Sequence, residues 1–170
     1  DNVGENHNEM NDHSIRNAIQ SASAGDTIII NGDDYKHCHI EINKKLTIKS
    51  NVGTKLSSCS STAFSGHQGM FYLTSSASGT VIEGFNFNND DGVLYDSEGY
   101  AILINGASNV IIRNCTFSNS GYGDAIRLIN AKNIQINNVT IDNAIHGINI
   151  IDSAKTTITG SYISNNKVSG

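Results

Sequence analysis

One short phrase is repeated four times in this chain, always with glycine or asparagine at the same internal position. The copies occupy residues 80–87, 110–117, 134–141 and 156–163, and each is anchored on an isoleucine: Ile82, Ile112, Ile136 and Ile158. The anchors lie 30, 24 and 22 residues apart. Periods of this size are typical of solenoids, in which each repeat buries its apolar residues only against its neighbours. The sequence therefore predicts a stack of similar coils.

The composition suits short strands joined by tight bends. Among 170 residues the chain has 24 Ile and 23 Asn, with no Pro and no Trp. Ile prefers the pleated surface of a sheet, and Asn tolerates the left-handed backbone of a tight bend. A helical bundle would instead be rich in Leu, Ala, Glu and Lys. We predict one all-β domain of about six coils, roughly 25–30 Å long at the usual spacing between strands.

Further positions recur from coil to coil. One site is restricted to Gly and Asn, which indicates a positive φ: Gly84, Asn114, Asn138 and Gly160. Another site holds only asparagine: Asn89, Asn119, Asn143 and Asn165. Identical amides stacked along a solenoid can hydrogen-bond as a ladder, and we predict one there. Each later coil also has a second predicted strand, at 102–104, 126–128 and 148–150.

The N-terminal region differs from the repeats. Residues 1–11 are polar without periodicity and predict an extended or disordered arm. In residues 12–25 the apolar spacing changes to that of a helix, with Ile15, Ala18, Ile19 and Ala22 on one stripe. We expect this helix to cover the first coil, because an open end would expose unpaired strand edges. Residues 26–170 form the predicted parallel coil, and no capping helix follows the last repeat.

The charge and hydropathy exclude some classes of partner. The net charge is −5 and no basic run is present, which argues against nucleic acid and anionic membrane surfaces. No stretch has the roughly 18 consecutive apolar residues of a membrane span. No secretory signal is recognisable at the start of the sequence given.

The sequence does not decide whether the cysteines form disulfides or whether the asparagines are glycosylated. Cys115 falls on an inward repeat position and is expected to be a buried thiol. Cys38 and Cys59 can be free or paired, because spacing alone does not establish their proximity. Asn114 and Asn138 each begin a glycosylation sequon, but the bend geometry already explains asparagine at both positions.

The repeat phrases resemble the right-handed parallel β-helix of the pectin-lyase-like superfamily. Residues 15–28, followed by 40–48, are similar to the opening of adhesin-like surface proteins of methanogenic archaea. The resemblance covers about residues 12–165. It implies a right-handed parallel β-helix (a β-solenoid) with a short N-terminal capping helix. It also implies an exported, extracellular protein at the cell surface, whose coils serve as a stalk or a binding surface.

An acidic segment interrupts the repeats where the period lengthens to 30 residues. Inserted loops on a solenoid often carry binding sites. The candidate binding residues are Asp90, Asp91, Asp96, Glu98 and Tyr100, and the four carboxylates are also weak candidates for calcium. Because their spacing matches no known calcium loop, a solvated acidic loop is the competing interpretation, and no cofactor is required.

The repeat register predicts a row of chemically active side chains. Tyr100, Asp124 and His146 each lie two residues before the first inward isoleucine of their coil, so they should stack. Arg127 lies three residues after Asp124. A carboxylate beside His and Arg is suited to acid–base work on a sugar. The competing interpretation is an exposed ion pair of little energetic value between Asp124 and Arg127.

The resemblance and the residues lead to three hypotheses. The favoured one is a non-catalytic exported solenoid, adhesin-like or structural, that stacks end to end with itself or with further repeats. The alternative is a polysaccharide lyase or glycoside hydrolase that uses Asp124, His146 and Arg127. The superfamily's galacturonan hydrolases carry Gly-His-Gly and Arg-Ile-Lys, of which only His146-Gly147 is present here. The third is a carbohydrate-binding module for cell-surface glycans.

Overall fold

Short strands wind into successive coils behind one helix in this computed structural model. It describes residues 2–3, 14–37, 39–58, 69–88, 99–118 and 123–168. Each coil contributes one strand in turn to each of three parallel sheets, here named A, B and C. The architecture is therefore a parallel β-helix, as the repeats predict.

The strands of the described residues divide among the sheets as follows. Sheet A has seven: β1 (Asn2–Val3), β2 (Thr27–Ile30), β5 (Thr47–Lys49), β8 (Val81–Glu83), β11 (Ile111–Arg113), β14 (Lys132–Asn137) and β17 (Ala154–Thr159). Sheet B has six: β3 (Asp34–His37), β6 (Lys55–Ser58), β9 (Asn86–Asn88), β12 (Thr116–Ser118), β15 (Thr140–Asp142) and β18 (Tyr162–Ser164). Sheet C has five: β4 (Ile40–Ile42), β7 (Gly69–Leu73), β10 (Gly99–Asn105), β13 (Gly123–Ile129) and β16 (His146–Ile151).

The four anchor isoleucines stack in register in sheet A. Ile82 pairs with Ile112, Ile112 with Ile136, and Ile136 with Ile158. The first three side chains are fully buried, whereas Ile158 in the last described coil is 42% exposed. The predicted shared interior is confirmed. Five coils with three strands and a sixth with two agree with the predicted number of about six.

Each repeat phrase spans two sheets, not one strand. The sequence suggested two strands per coil, but within one phrase β8 belongs to sheet A and β9 to sheet B. The bend between them falls on the site shared by Gly and Asn. The φ values of Gly84, Asn114, Asn138 and Gly160 are +82°, +53°, +51° and +57°, which confirms the predicted backbone. The extra strand was missed because the bend is only two residues long.

Amide pairs between coils occur at two bend positions. Asn138 Nδ2 donates to Asn114 Oδ1 at 2.8 Å, and Asn133 Nδ2 donates to Asn109 Oδ1 at 2.6 Å. In the column for which a ladder was predicted, Asn143 and Asn165 both have positive φ. Asn165 Nδ2 donates to the Asp142 carboxylate at 2.7 Å. Asn89 and Asn119 lie outside the described residues, so the ladder through them stays a prediction.

The interior consists of apolar columns that run along the coil axis. In sheet B the rings of Phe87 and Phe117 stack with centroids 4.7 Å apart and planes 6° from parallel. Cys115 lies in this core as a free thiol, and burial raises its pKa to about 11. Cys38 and Cys59 lie outside the described residues. Stacking of like side chains gives each coil the same contacts as its neighbours.

Helix α1 (Ser14–Ser21) packs on the first coil, where it contacts β1, β2 and β4. It buries Ile15, Ala18 and Ile19, as the apolar stripe predicts. Lys44 Nζ donates to two carbonyl oxygens at the end of the helix, those of Gln20 at 3.1 Å and Ala22 at 2.9 Å. A cation at this end satisfies carbonyls that the helix leaves unpaired.

Part of the predicted arm belongs to the coil. Asn2 pairs with Ile29 and Val3 with Ile30, so β1 adds a strand in front of β2. The other residues of 1–11 lie outside the described ranges. Among the helices of the described residues, none is long and apolar enough to cross a membrane.

Candidate functional site

The outer face of sheet C carries a cluster of polar side chains because strand β13 departs from strict alternation. Ala125 and Ile126 are consecutive, yet both are fully buried in the core. Strict alternation would place Asp124 and Arg127 on opposite faces of the sheet. The irregularity instead leaves both on the outer face, where Arg127 Nε donates to Asp124 Oδ2 at 2.6 Å.

The predicted row is in register. Tyr100 pairs with Asp124, and Asp124 with His146, on three successive coils. His146 Nδ1 lies 2.7 Å from Asp124 Oδ1. Asn149 Nδ2 donates to Asp124 Oδ2 at 2.9 Å. One carboxylate thus contacts an imidazole, a guanidinium and an amide.

Asp124 and Arg127 do not form the exposed ion pair that the sequence suggested. Their side chains are only 1% and 10% exposed. Arg127 Nη2 also donates to the carbonyl oxygen of Gly99 at 3.3 Å. Breaking a buried pair by removing one partner costs several kcal/mol, because the other charge stays in the interior. The pair is therefore a fixed part of the fold.

His146 is the member of the cluster that reaches solvent, with 30% of its side chain exposed. Its Nδ1 is engaged by Asp124, so Nε2 is the ring nitrogen left for a ligand or a water molecule. A carboxylate that holds Nδ1–H fixes the tautomer and the ring orientation, and it stabilises the imidazolium once Nε2 takes a proton. This is the arrangement of a general base.

Tyr100 extends the row towards the first coil. Its ring lies over Gly69, where an added Cβ would come within 2.1 Å of the ring, so no larger residue fits at that position. Its hydroxyl lies 3.4 Å from His39 Nδ1. Burial, and secondarily the nearby Tyr72, raises the pKa of the Tyr100 phenol, while Arg127 opposes that shift. The hydroxyl therefore stays protonated at neutral pH.

His39 and Tyr72, from the first two coils, lie close to Tyr100. Their ring centroids are 5.6 Å apart. Asn105 Nδ2 donates to the Tyr72 hydroxyl at 3.0 Å. The register of the outer face runs Glu41, Tyr72, Leu103, Arg127, Asn149 from the first coil to the fifth. Apart from Leu103, side chains with hydrogen-bonding groups thus line this face along the coil axis.

The structure brings together Tyr100, Asp124, Arg127 and His146 from the sequence-derived set. The other candidate binding and calcium residues lie outside the described ranges and stay predictions: Asp90, Asp91, Asp96 and Glu98. Among the described residues, no three His, Cys, Asp or Glu side chains lie close enough together to hold a metal ion.

Sequence reasoning missed three participants: His39, Tyr72 and Asn149. Asn149 could have been found, since it follows Arg127 by 22 residues, the same interval that separates His146 from Asp124. His39 and Tyr72 belong to the irregular early coils, where no repeat phrase sets a register.

The comparisons with known proteins agree on the fold. The family model described as "Right handed beta helix region" matches residues 3–170. A solved structure from Parabacteroides merdae, described as a "putative glycosyl hydrolase", is similar with a TM-score of 0.66. At 17% identity the similarity covers 95% of this chain and 85% of that one, and it bears on the fold alone. The comparison with curated proteins found no match.

Proposed function

Because this chain belongs to the right-handed β-helix family, whose fold it shares with a protein described as a "putative glycosyl hydrolase", we propose that it is a polysaccharide-active enzyme with His146 as general base. The observation that carries the proposal is the contact between His146 Nδ1 and the buried Asp124 carboxylate at 2.7 Å. We also propose an exported, extracellular location, because an enzyme that acts on structural polysaccharides meets its substrate outside the cell.

In the proposed reaction His146 Nε2 takes a proton from the water that attacks a glycosidic bond. Asp124 is a positioning residue, which holds Nδ1–H and stabilises the positive charge that develops on the ring. Arg127 and Asn149 hold the second oxygen of Asp124, so the carboxylate cannot turn away from His146.

The charges favour hydrolysis over the lyase reaction. A lyase acting on uronic acids must neutralise the sugar carboxylate, but the guanidinium of Arg127 is already paired with Asp124 in a buried position. The net charge of −5 also disfavours a polyanionic substrate. We therefore propose a neutral polysaccharide as the substrate.

Glycoside hydrolysis also needs a general acid for the leaving oxygen. Asp124 is the one carboxylate that hydrogen-bonds within the cluster in the described part of the chain. Glu98 lies outside the described residues but directly precedes Gly99 in the sequence, and Gly99 accepts a hydrogen bond from Arg127. We propose Glu98 as the candidate acid.

The first prediction concerns His146. In an assay of new reducing ends on xylan, glucomannan, mixed-linkage glucan and polygalacturonate, His146→Gln should lower kcat about 100-fold or more, because the proton acceptor is removed. Asp124→Asn should lower kcat with little change in KM. Gln135→Ala, an exposed change on sheet A, serves as the matched control and should leave the rate unchanged.

Thermal melts of each variant separate loss of catalysis from loss of fold. A rate for folded His146→Gln within twofold of the unsubstituted protein would contradict the proposal. Glycan retention without any product from the unsubstituted protein would favour the carbohydrate-binding module instead. Unsaturated products detected by ultraviolet absorbance would indicate the lyase reaction.

One observation favours a second candidate, the non-catalytic adhesin-like or structural solenoid. The last described coil exposes apolar side chains that are buried in earlier coils: Ile158 is 42% exposed where Ile136 is fully buried. Ile150 in the last strand of sheet C is 45% exposed, whereas its partner Leu128 is fully buried. In this hypothesis a further repeat or a second copy stacks on that coil and continues the three sheets.

A further inference from the structure

A pocket of about 510 Å³ lies between helix α1 and strand β4, at the first coil. Its lining residues are Arg16, Ile19, Gln20, His39, Glu41 and Asn43. Volumes of roughly 300–1,000 Å³ are usual for small-ligand sites. The pocket belongs to the same outer face of sheet C as the Asp124 cluster, because Glu41 is the first residue of the register that continues through Tyr72 and Leu103 to Arg127.

The side chains in this pocket suit a sugar ring. Ile19 supplies a buried apolar floor, against which the C–H face of a ring can pack. Gln20, Glu41 and Asn43 are exposed and carry planar donors and acceptors that match ring hydroxyl groups. The formal charges of Arg16 and Glu41 cancel, which favours a ligand that is neutral and polyhydroxylated.

The pocket is held in shape by contacts between its two walls. Arg16 Nη2 donates to the carbonyl oxygen of His39 at 2.9 Å, which ties α1 to the start of β4. Lys44 ties the end of the same helix to the coil through the carbonyls of Gln20 and Ala22. A preformed site loses less ordering entropy when a ligand binds.

His39 connects the pocket with the catalytic row. Its carbonyl holds Arg16, and its ring lies 3.4 Å from the Tyr100 hydroxyl, which in turn lies two coils further on. Glu41 and Arg127 are three coils apart in register, roughly 14 Å at the usual spacing of strands. A single oligosaccharide can span that distance.

From these contacts we infer that the α1–β4 pocket is a remote subsite for a neutral sugar of the polysaccharide chain, which lies along the coil axis with its scissile bond near His146. This inference rests on the proposed function and adds to it a remote binding position and the direction in which the substrate chain lies. Binding at such a subsite uses energy from a distant part of the substrate to position the bond that reacts.

The second prediction tests the pocket by calorimetry, with His146→Gln as the background so that no turnover interferes. The probes are xylohexaose, cellohexaose, mannohexaose and hexagalacturonate, together with the dimers of the neutral sugars. Gln20→Ala and Glu41→Gln should each weaken the best neutral hexamer about tenfold and leave dimer binding within twofold. Asn17→Ala, an exposed change on the same helix outside the pocket, is the matched control and should change neither.

Four results would overturn the inference. Equal hexamer affinity in Gln20→Ala and the unsubstituted background would remove the pocket from the binding site. Tighter binding of hexagalacturonate than of every neutral hexamer would refute the neutral substrate. Equal weakening by Asn17→Ala would indicate an effect on the helix rather than on the pocket. Binding of no probe would exclude the subsite, and hydrolysis by the unsubstituted protein in the reducing-end assay would then leave the proposed function standing.

Discussion

At the scale of single residues, the bend between sheets A and B shows why only Gly and Asn occupy one site along the coil. All four positions have positive φ, a conformation that costs a residue with a Cβ about 1 kcal/mol or more, with Asn the most tolerant. The space around the four positions differs. A Cβ added at Gly84 would lie 2.2 Å from the carbonyl oxygen of Ser50, whereas at Gly160 the nearest atom would be 3.8 Å away. At position 84 glycine is therefore required by the contact with Ser50. At position 160 glycine is favoured only by the positive φ.

The third prediction compares these two glycines. Gly84→Asn should lower the free energy of unfolding by about 3 kcal/mol or more, because the Cβ overlaps a backbone oxygen that cannot move independently. Gly160→Asn should be neutral or stabilising by up to about 1 kcal/mol, since it restricts the unfolded chain and extends the amide pair of Asn114 and Asn138. Urea unfolding measures both. Equal destabilisation would show that φ, and not the contact with Ser50, decides the residue at this bend.

At the scale of the element, strand β13 shows how one irregularity creates a site. The consecutive core residues Ala125 and Ile126 bring Asp124 and Arg127 to the same face. The same coil carries a second ion pair, between Arg113 of β11 and Glu83 of β8. That pair is partly exposed, at 43% for the Arg113 side chain and 26% for Glu83, whereas the Arg127–Asp124 pair is buried. The two pairs form an internal comparison.

The fourth prediction uses this comparison. Arg127→Met should lower the free energy of unfolding by about 3 kcal/mol, because Asp124 loses a charged partner in a buried site. Arg113→Met should cost at most about 1 kcal/mol, because water screens a partly exposed pair. Both follow from denaturant unfolding of the purified variants. If the two substitutions cost the same, then the burial of Asp124 is not what makes its partner important.

At the scale of the whole molecule, the two ends of the described coil differ. At the first coil α1 covers apolar residues, and β1 adds a further strand to sheet A. At the other end Ile158 of the last strand of sheet A is 42% exposed, and Ile150 of the last strand of sheet C is 45% exposed. Exposed strand edges next to apolar side chains favour addition of another strand. In the described residues the apolar side chains of the first coil are thus covered, whereas those of the last strands of sheets A and C are partly exposed.

The fifth prediction concerns these last strands. If a second copy stacks there, sedimentation velocity should show the protein as a dimer or larger, and Ile158→Asp should return it to a monomer by placing a charge in the contact. Val52→Asp is the control, because Val52 is 63% exposed on a different coil. A monomeric unsubstituted protein at all concentrations would contradict self-stacking and leave the enzyme as the better proposal.

The sequence alone determined the repeat, the parallel stacking of Ile82, Ile112, Ile136 and Ile158, the helix over the first coil and the bend geometry. It could do so because each coil needs the same residue types at the same positions. The resulting period can be recognised in the sequence without knowledge of any long-range contact. It also placed Tyr100, Asp124 and His146 in one register, since their spacing follows that of the buried isoleucines.

Only the tertiary structure decided how those residues act. In the coils that carry the repeat phrase, the strands of sheets A and B are separated by a bend of only two residues, which leaves no loop for a pattern to reveal. The face on which Asp124 lies depends on Ala125 and Ile126 both packing into the core, and alternation predicts the opposite. The burial of the Asp124–Arg127 pair, and the reach of Tyr100 over Gly69 to His39, depend on neighbouring coils. Such contacts join residues distant in sequence, and no local pattern encodes them.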